Sequence, residues 1–192
     1  MKRKSHTTKT PLMLVLLALP FRAAAYGARK LLDLRPYIVF DLDNTVCDML
    51  SVLDRRYGKR PAGIYYHPEV TPETFKECPK IYLEASPYYG MLWITRLAGI
   101  LFNVAYLTAR DNSSRRATNV FLKSWGFGRG RVFYNVKDKA AFARRNFRKV
   151  VLAFEDNPEE IRNYDRKGIF VIVPAHDYNV PEQRNHCTVT VR

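Results

Sequence analysis

Five short apolar runs punctuate the chain: 37–41, 102–107, 131–134, 150–154 and 169–173, each rich in Val, Ile and Phe. Such runs, apolar on consecutive rather than alternate positions, predict strands buried on both faces. Between them lie helix-length stretches at 84–99, 113–125, 138–147 and 158–166. Asp156-Asn157-Pro158 followed by Glu159 and Glu160 is a helix start, and Gly126 and Gly168 stand where helices should stop. Strictly alternating strands and helices predict an α/β fold, a Rossmann-like parallel sheet of about five strands with helices on both faces. In such sheets ligands bind at the carboxyl ends of the strands.

The pattern also divides the chain. Residues 1–35 form a basic and apolar N-terminal segment, 36–180 the domain, and 181–192 a tail in which Thr188–Val191 either adds a last strand or frays. Residues 46–83 interrupt the alternation; Pro61, Pro68, Pro72 and Pro79 make much of this insertion irregular.

In the N-terminal segment, Lys2, Arg3, Lys4 and Lys9 precede the apolar run 12–19, and Ala23-Ala24-Ala25 follows Pro20. This is the layout of a secretory signal, which makes export the alternative to the favoured, non-cleaved readings. Eight uninterrupted apolar residues are too few to span a bilayer. Arg22, Arg29 and Lys30 make the continuation amphipathic, so a helix packed on a cytoplasmic domain and a helix on an anionic membrane surface are the two favoured readings. Three cysteines, Cys47, Cys78 and Cys187, form no metal-ligand spacing and no even disulfide set, which favours a reduced compartment.

Charge changes the picture next. Lys+Arg total 32 against 18 Asp+Glu, a net +14 that favours polyanionic partners, nucleic acid or an anionic membrane face. In the insertion, Arg55, Arg56, Lys59 and Arg60 interleave with Tyr57, Tyr65, Tyr66 and His67. Basic groups track a phosphate backbone while rings stack on bases, although a solvated helix followed by loop packing accounts for the same residues.

The candidate chemistry sits at the strand ends. Ile38-Val39-Phe40 runs into Asp41-Leu-Asp43-Asn-Thr45; Val104–Leu107 into Thr108-Ala-Arg110; Val150–Phe154 into Glu155-Asp156. Lys137 and Lys139 lie at the start of the helix over 138–147. In that order these resemble the four motifs of the haloacid dehalogenase superfamily, over roughly residues 36–180. The resemblance implies a phosphatase in which Asp41 is the nucleophile and Asp43 the general acid and base. Thr108 would bind a phosphoryl oxygen, with Thr45 beside it. A lysine, Lys139 in preference to Lys137 because Phe142 and Ala143 give its helix a face to bury, would offset the growing charge, with Lys137 left to bind substrate. Mg²⁺ would be held by Asp41, the backbone carbonyl of Asp43 and Asp156, with Glu155 a direct or indirect contact. Glu159 and Glu160 read as plain helix N-terminal acids. Members of this superfamily often carry a cap where residues 46–83 lie; the resemblance then implies a small cap and an open site, which suits a large substrate or a polymer end, with a small substrate in an oligomer-covered site as the competing reading.

Thr108-Ala-Arg110, Arg115-Arg116-Ala-Thr118, Phe121-Leu122 and Trp125, with Asp177-Tyr178-Asn179, resemble the phosphatase domains of polynucleotide kinase/phosphatases and cap-less 5′-nucleotidases. That resemblance implies a phosphorylated substrate among nucleotides or nucleic-acid ends, with Arg110 on a second phosphate or in a structural ion pair. The alternatives are another small phosphomonoester, turned over at a membrane or outside the cell, and a non-catalytic nucleic-acid-binding module. The intact acid, threonine and lysine set argues against the last.

Overall fold

The computed structural model describes residues 34–191, and the three readings of the N-terminal run lie outside them. The compact unit that carries the sheet starts at Pro36. Among the described residues no helix is long and apolar enough to cross a membrane.

Strands β1 (Tyr37–Phe40), β4 (Asn103–Leu107), β5 (Gly130–Phe133), β6 (Val150–Phe154), β7 (Val171–Pro174) and β8 (Cys187–Val189) form one sheet, ordered β5-β4-β1-β6-β7-β8. Every pairing in it is parallel. The sheet therefore has six strands rather than about five. The tail supplies the sixth, because Thr188 pairs with Val173 and Val189 with Pro174.

Helices α1 (Met49–Tyr57), α3 (Tyr89–Leu101) and α4 (Arg115–Trp125) cover one face; α5 (Lys139–Asn146) and α6 (Pro158–Arg166) cover the other. Alternate strand residues serve the two layers. Ile38, Phe40, Val104, Tyr106 and Phe154 pack under the first set, and Val39, Ala105, Leu107, Ala153, Val171 and Val173 under the second. That period of two on strands apolar throughout explains why the runs lack polar positions.

The insertion is more ordered than its prolines indicate. It holds α1, α2 (Pro72–Glu77) and a 3₁₀ turn (Pro79–Leu83), and is closed at its base by an antiparallel pair, β2 (Cys47–Asp48) with β3 (Ser86–Pro87). Pro72 and Pro79 sit in first helical turns, where no amide hydrogen is needed. A short helix α7 (Val180–Gln183) precedes β8. From β1 the chain builds outward to β4 and β5, then reverses to β6, so β1 is the switch point whose carboxyl end opens a crevice.

Candidate active site

The residues leaving β1 turn at once. Val46 and Cys47 both donate backbone N–H to the Leu42 carbonyl, and Asn44 takes a left-handed φ of 60°, which Asn tolerates better than most side chains. The Asn44 side chain accepts the Leu50 N–H, and its carbonyl lies 2.6 Å from His176 Nε2. This turn sends the two aspartates into different surroundings.

Asp41 joins Glu155 and Asp156 from the neighbouring end of β6. One carboxylate oxygen from each falls within 4.8 Å of the others, and none of the three residues is more than 5% exposed. Lys139, the first residue of α5, is buried among them. Its Nζ donates to Asp41 Oδ1 at 2.5 Å and to both Glu155 oxygens at 2.8 and 3.1 Å. Two acids fix that helix start: Asp138 caps it through the Ala141 N–H, and Glu160 accepts the Lys139 N–H at 2.9 Å. Glu160 thus does more than sit at a helix N-terminus. Lys137 is exposed on the preceding loop and lies outside the cluster, which corrects its place among the site candidates.

Three carboxylates against one ammonium leave a buried surplus of negative charge. Burial, opposed by Lys139 and reinforced by Asp43, holds the Asp41 carboxyl above its ordinary range. Burial and the neighbouring Asp41 push Asp156 up to about 8, although Thr45 and Tyr178 both donate to it. Glu155 is raised by burial and by both acids beside it. Lys139 is held well above its usual value because Asp41 and Glu155 outweigh its desolvation. Hard oxygen donors converging with excess negative charge are the donor set that Mg²⁺ takes, so these residues fit a divalent cation.

Asp43 goes elsewhere. Arg110 Nε donates to both its oxygens at 3.0 and 3.2 Å, and Nη2 to Oδ1 at 2.6 Å. The guanidinium also donates to Thr118 and lies 3.9 Å from the centre of the Tyr82 ring. Burial alone would lower Arg110, and Asp43 more than reverses that. Of the two readings of Arg110, the structure thus shows the ion pair, and the fork is not open to a second phosphate. Thr45 is likewise engaged: its hydroxyl donates to Asp156 Oδ1 at 2.6 Å. Thr108 is fully buried at the end of β4, where its hydroxyl oxygen accepts the Arg110 N–H.

Residues beyond the motifs complete the site. Tyr178 donates to Asp156 Oδ2 at 2.6 Å, and Asn179 donates to the Asp156 carbonyl. Tyr65 stands edge-on to Tyr178, 5.1 Å between centroids, and burial with the field of Asp156, Asp41 and Glu155 raises its hydroxyl. Arg60 and the Gly63 N–H both bind Asp177, strapping the insertion to the loop after β7. The carboxylates are therefore covered, contrary to the open site expected from a small cap. Part of the basic and aromatic set of the insertion is engaged within the fold: Arg56 pairs with Glu84, Arg60 with Asp177, Tyr65 packs on Tyr178 and His67 is buried against the Gly58 carbonyl, while Arg55, Lys59 and Tyr66 stay exposed. Cys47 is buried, its thiol raised by desolvation, and acts as packing.

No known family profile matches the chain, and no curated protein matches it in sequence. Solved structures do. A haloacid dehalogenase-like hydrolase from Streptococcus pneumoniae superimposes with TM-score 0.54 at 14% identity, covering 81% of this chain and 94% of its own. A dehalogenase gives 0.56 at 15%, covering 82% and 94%, and an L-2-haloacid dehalogenase 0.52 at 10%, covering 74% and 85%. Identities this low speak to architecture: the chain has the haloacid dehalogenase-like hydrolase fold, with a buried acidic cluster at the carboxyl end of its central strand.

Proposed function

We propose that the protein is a Mg²⁺-dependent phosphomonoesterase that works through an aspartyl-phosphate, on nucleotides or nucleic-acid phosphate ends. One observation carries the reading: Lys139 bridges Asp41 and Glu155 beside Asp156, so among the described residues three buried carboxylates face one ammonium. Carboxylate attack on a phosphate dianion is repulsive and needs more positive charge than one lysine supplies. Displacement of halide from carbon has no such need.

Asp41 attacks phosphorus and the ester P–O bond breaks, with Asp43 giving its proton to the leaving oxygen. Asp43 then takes a proton from the water that attacks the acyl phosphate, which returns Asp41 and releases phosphate. Lys139 orients the Asp41 carboxylate and offsets charge on the phosphoryl group. Thr108 offers its hydroxyl to a phosphoryl oxygen. Arg110 orients Asp43, and Glu160 fixes the helix start that aims Lys139. Mg²⁺, held by Asp41, the Asp43 carbonyl and Asp156, would screen nucleophile and phosphate from each other. Net charge of +14 and the exposed Tyr66 ring on the covering loop support a nucleotide or polynucleotide substrate.

The test is phosphate release with Mg²⁺ from 3′- and 5′-phosphorylated oligonucleotides, nucleotides and sugar phosphates, with halide release from a 2-haloacid in parallel. Turnover of the nucleic-acid esters, abolished in a folded Asp41→Asn variant, is expected. Halide release in chelator, or full phosphatase activity in Asp41→Asn, would overturn the proposal.

A further inference from the structure

Helix α3 is apolar on nearly every side. Met91, Leu92, Thr95 and Ala98 face the core, yet Tyr89, Trp93, Leu97, Ile100 and Leu101 form a second stripe, each 58–68% exposed. Their spacing of four, four, three and one keeps them on one side of the helix. A helix apolar all round belongs in an interior or a lipid phase. The stripe offers on the order of 600 Å² of apolar surface, the upper end of what a monomer leaves bare. It continues onto α4, since Arg96 donates to the Trp125 and Gly126 carbonyls and lies over the Trp93 ring, while Tyr89 meets Trp125 edge-on.

The charges on α3, on α4 and on the segment after it are of one sign: Arg96, then Arg115, Arg116 and Lys123, then Arg129 and Arg131, with no acid among residues 89–101 and 115–131. Lys123, Arg129 and Arg131 are exposed on α4, the loop after it and the start of β5, and that loop abuts α3 where a Cβ on Gly128 would meet the Thr95 carbonyl at 2.3 Å. An apolar stripe with aromatic side chains and a basic fringe complements an anionic lipid interface: rings and aliphatic chains enter the headgroup boundary while the cations meet lipid phosphates. A second copy would bring the same positive fringe against itself, each chain carrying +14. We infer that the exposed face of α3, with Trp125 of α4, is a docking surface for an anionic membrane, the helix lying flat in the interface. This surface consists of residues of the sheet domain and needs nothing from the proposed catalysis.

The chain's two tryptophans, Trp93 and Trp125, both lie on this face, so their emission reports it directly. The full chain is mixed with phosphatidylcholine vesicles, with and without phosphatidylserine, and followed by cosedimentation and tryptophan fluorescence. A blue shift, quenching by brominated lipid, and binding roughly tenfold or more tighter to the phosphatidylserine vesicles are expected. Leu97→Glu/Ile100→Glu, at exposed positions, should lose the shift while phosphatase activity is retained. Vesicle binding with unmoved emission would overturn the inference by placing the contact elsewhere on the chain. So would equal affinity for neutral vesicles, or blue-shifted emission in a free dimer. Should the double variant not fold, quenching in the unsubstituted chain decides alone.

Discussion

Replacing Lys139 with Met keeps the length and flexibility of the side chain and removes the cation that, among the described residues, Asp41 and Glu155 share beside Asp156. Breaking a buried ion pair from one side costs about 3–5 kcal/mol, because the partners remain buried and uncompensated. That is a large part of the roughly 5–15 kcal/mol holding a domain together. With a urea slope of roughly 2 kcal/mol/M, the unfolding midpoint should fall by about 2 M at pH 8 in chelator. The deficit should depend on pH in a fixed direction. These carboxyls titrate higher folded than unfolded, Asp156 at about 8 against its ordinary 3.8. Below the unfolded value both states are protonated and the penalty vanishes; it grows as the pH rises and is complete above the folded value. At pH 5 the variant can neutralise its carboxyls cheaply, so most of the deficit should disappear. Urea unfolding of both proteins at pH 5 and pH 8 measures this. A variant as stable as the parent at pH 8, or a deficit unchanged at pH 5, would refute the charge-surplus account of the site.

Mg²⁺ binding should require ionised Asp156, so affinity should rise up to about tenfold per pH unit until about pH 8, with proton release; calorimetry in buffers of different ionisation enthalpy checks it, and a flat pH dependence would count against Asp156 as a ligand. Arg110→Lys loses the fork on Asp43 and the stacking on Tyr82; a stability loss of about 2 kcal/mol and a kcat lower by roughly tenfold to a hundredfold are expected, with a changed pH–rate profile. An unchanged profile would remove Arg110 as the positioning residue of Asp43. Tyr178→Phe deletes one donor to Asp156 and should weaken Mg²⁺ binding about tenfold while the fold survives; unchanged affinity would reduce Tyr178 to packing.

Much of the fold could be read along the chain because its causes are local or nearly so. Buried parallel strands must be apolar throughout, and the five runs announce themselves. Helix boundaries follow from side chains within a few residues, as at Asn157, which caps α6 through the Glu159 N–H, or Gly126, which ends α4 at a left-handed φ of 70°. The sixth strand was only half visible, since Cys187–Val189 is an exposed and partly polar edge whose pairing depends on β7 already being in place.

For the site, residue types were legible and their partners were not. The sequence by itself determined that acids, a threonine and lysines stand at strand ends and helix starts, where one switch point would gather them. Whether Lys137 or Lys139 enters the cluster turns on how α5 begins, which the local cap Asp138 sets together with Glu160, 21 positions beyond Lys139. Arg110 reaches Asp43 across 67 positions, Thr45 reaches Asp156 across 111, and Tyr65 meets Tyr178 from opposite ends of the domain. Hydrogen bonds and ion pairs act only over a few ångströms, and no periodicity encodes which distant groups share them. Motif spacing therefore named the donors and acceptors, and only the folded chain decided which were already engaged and which stay free for chemistry.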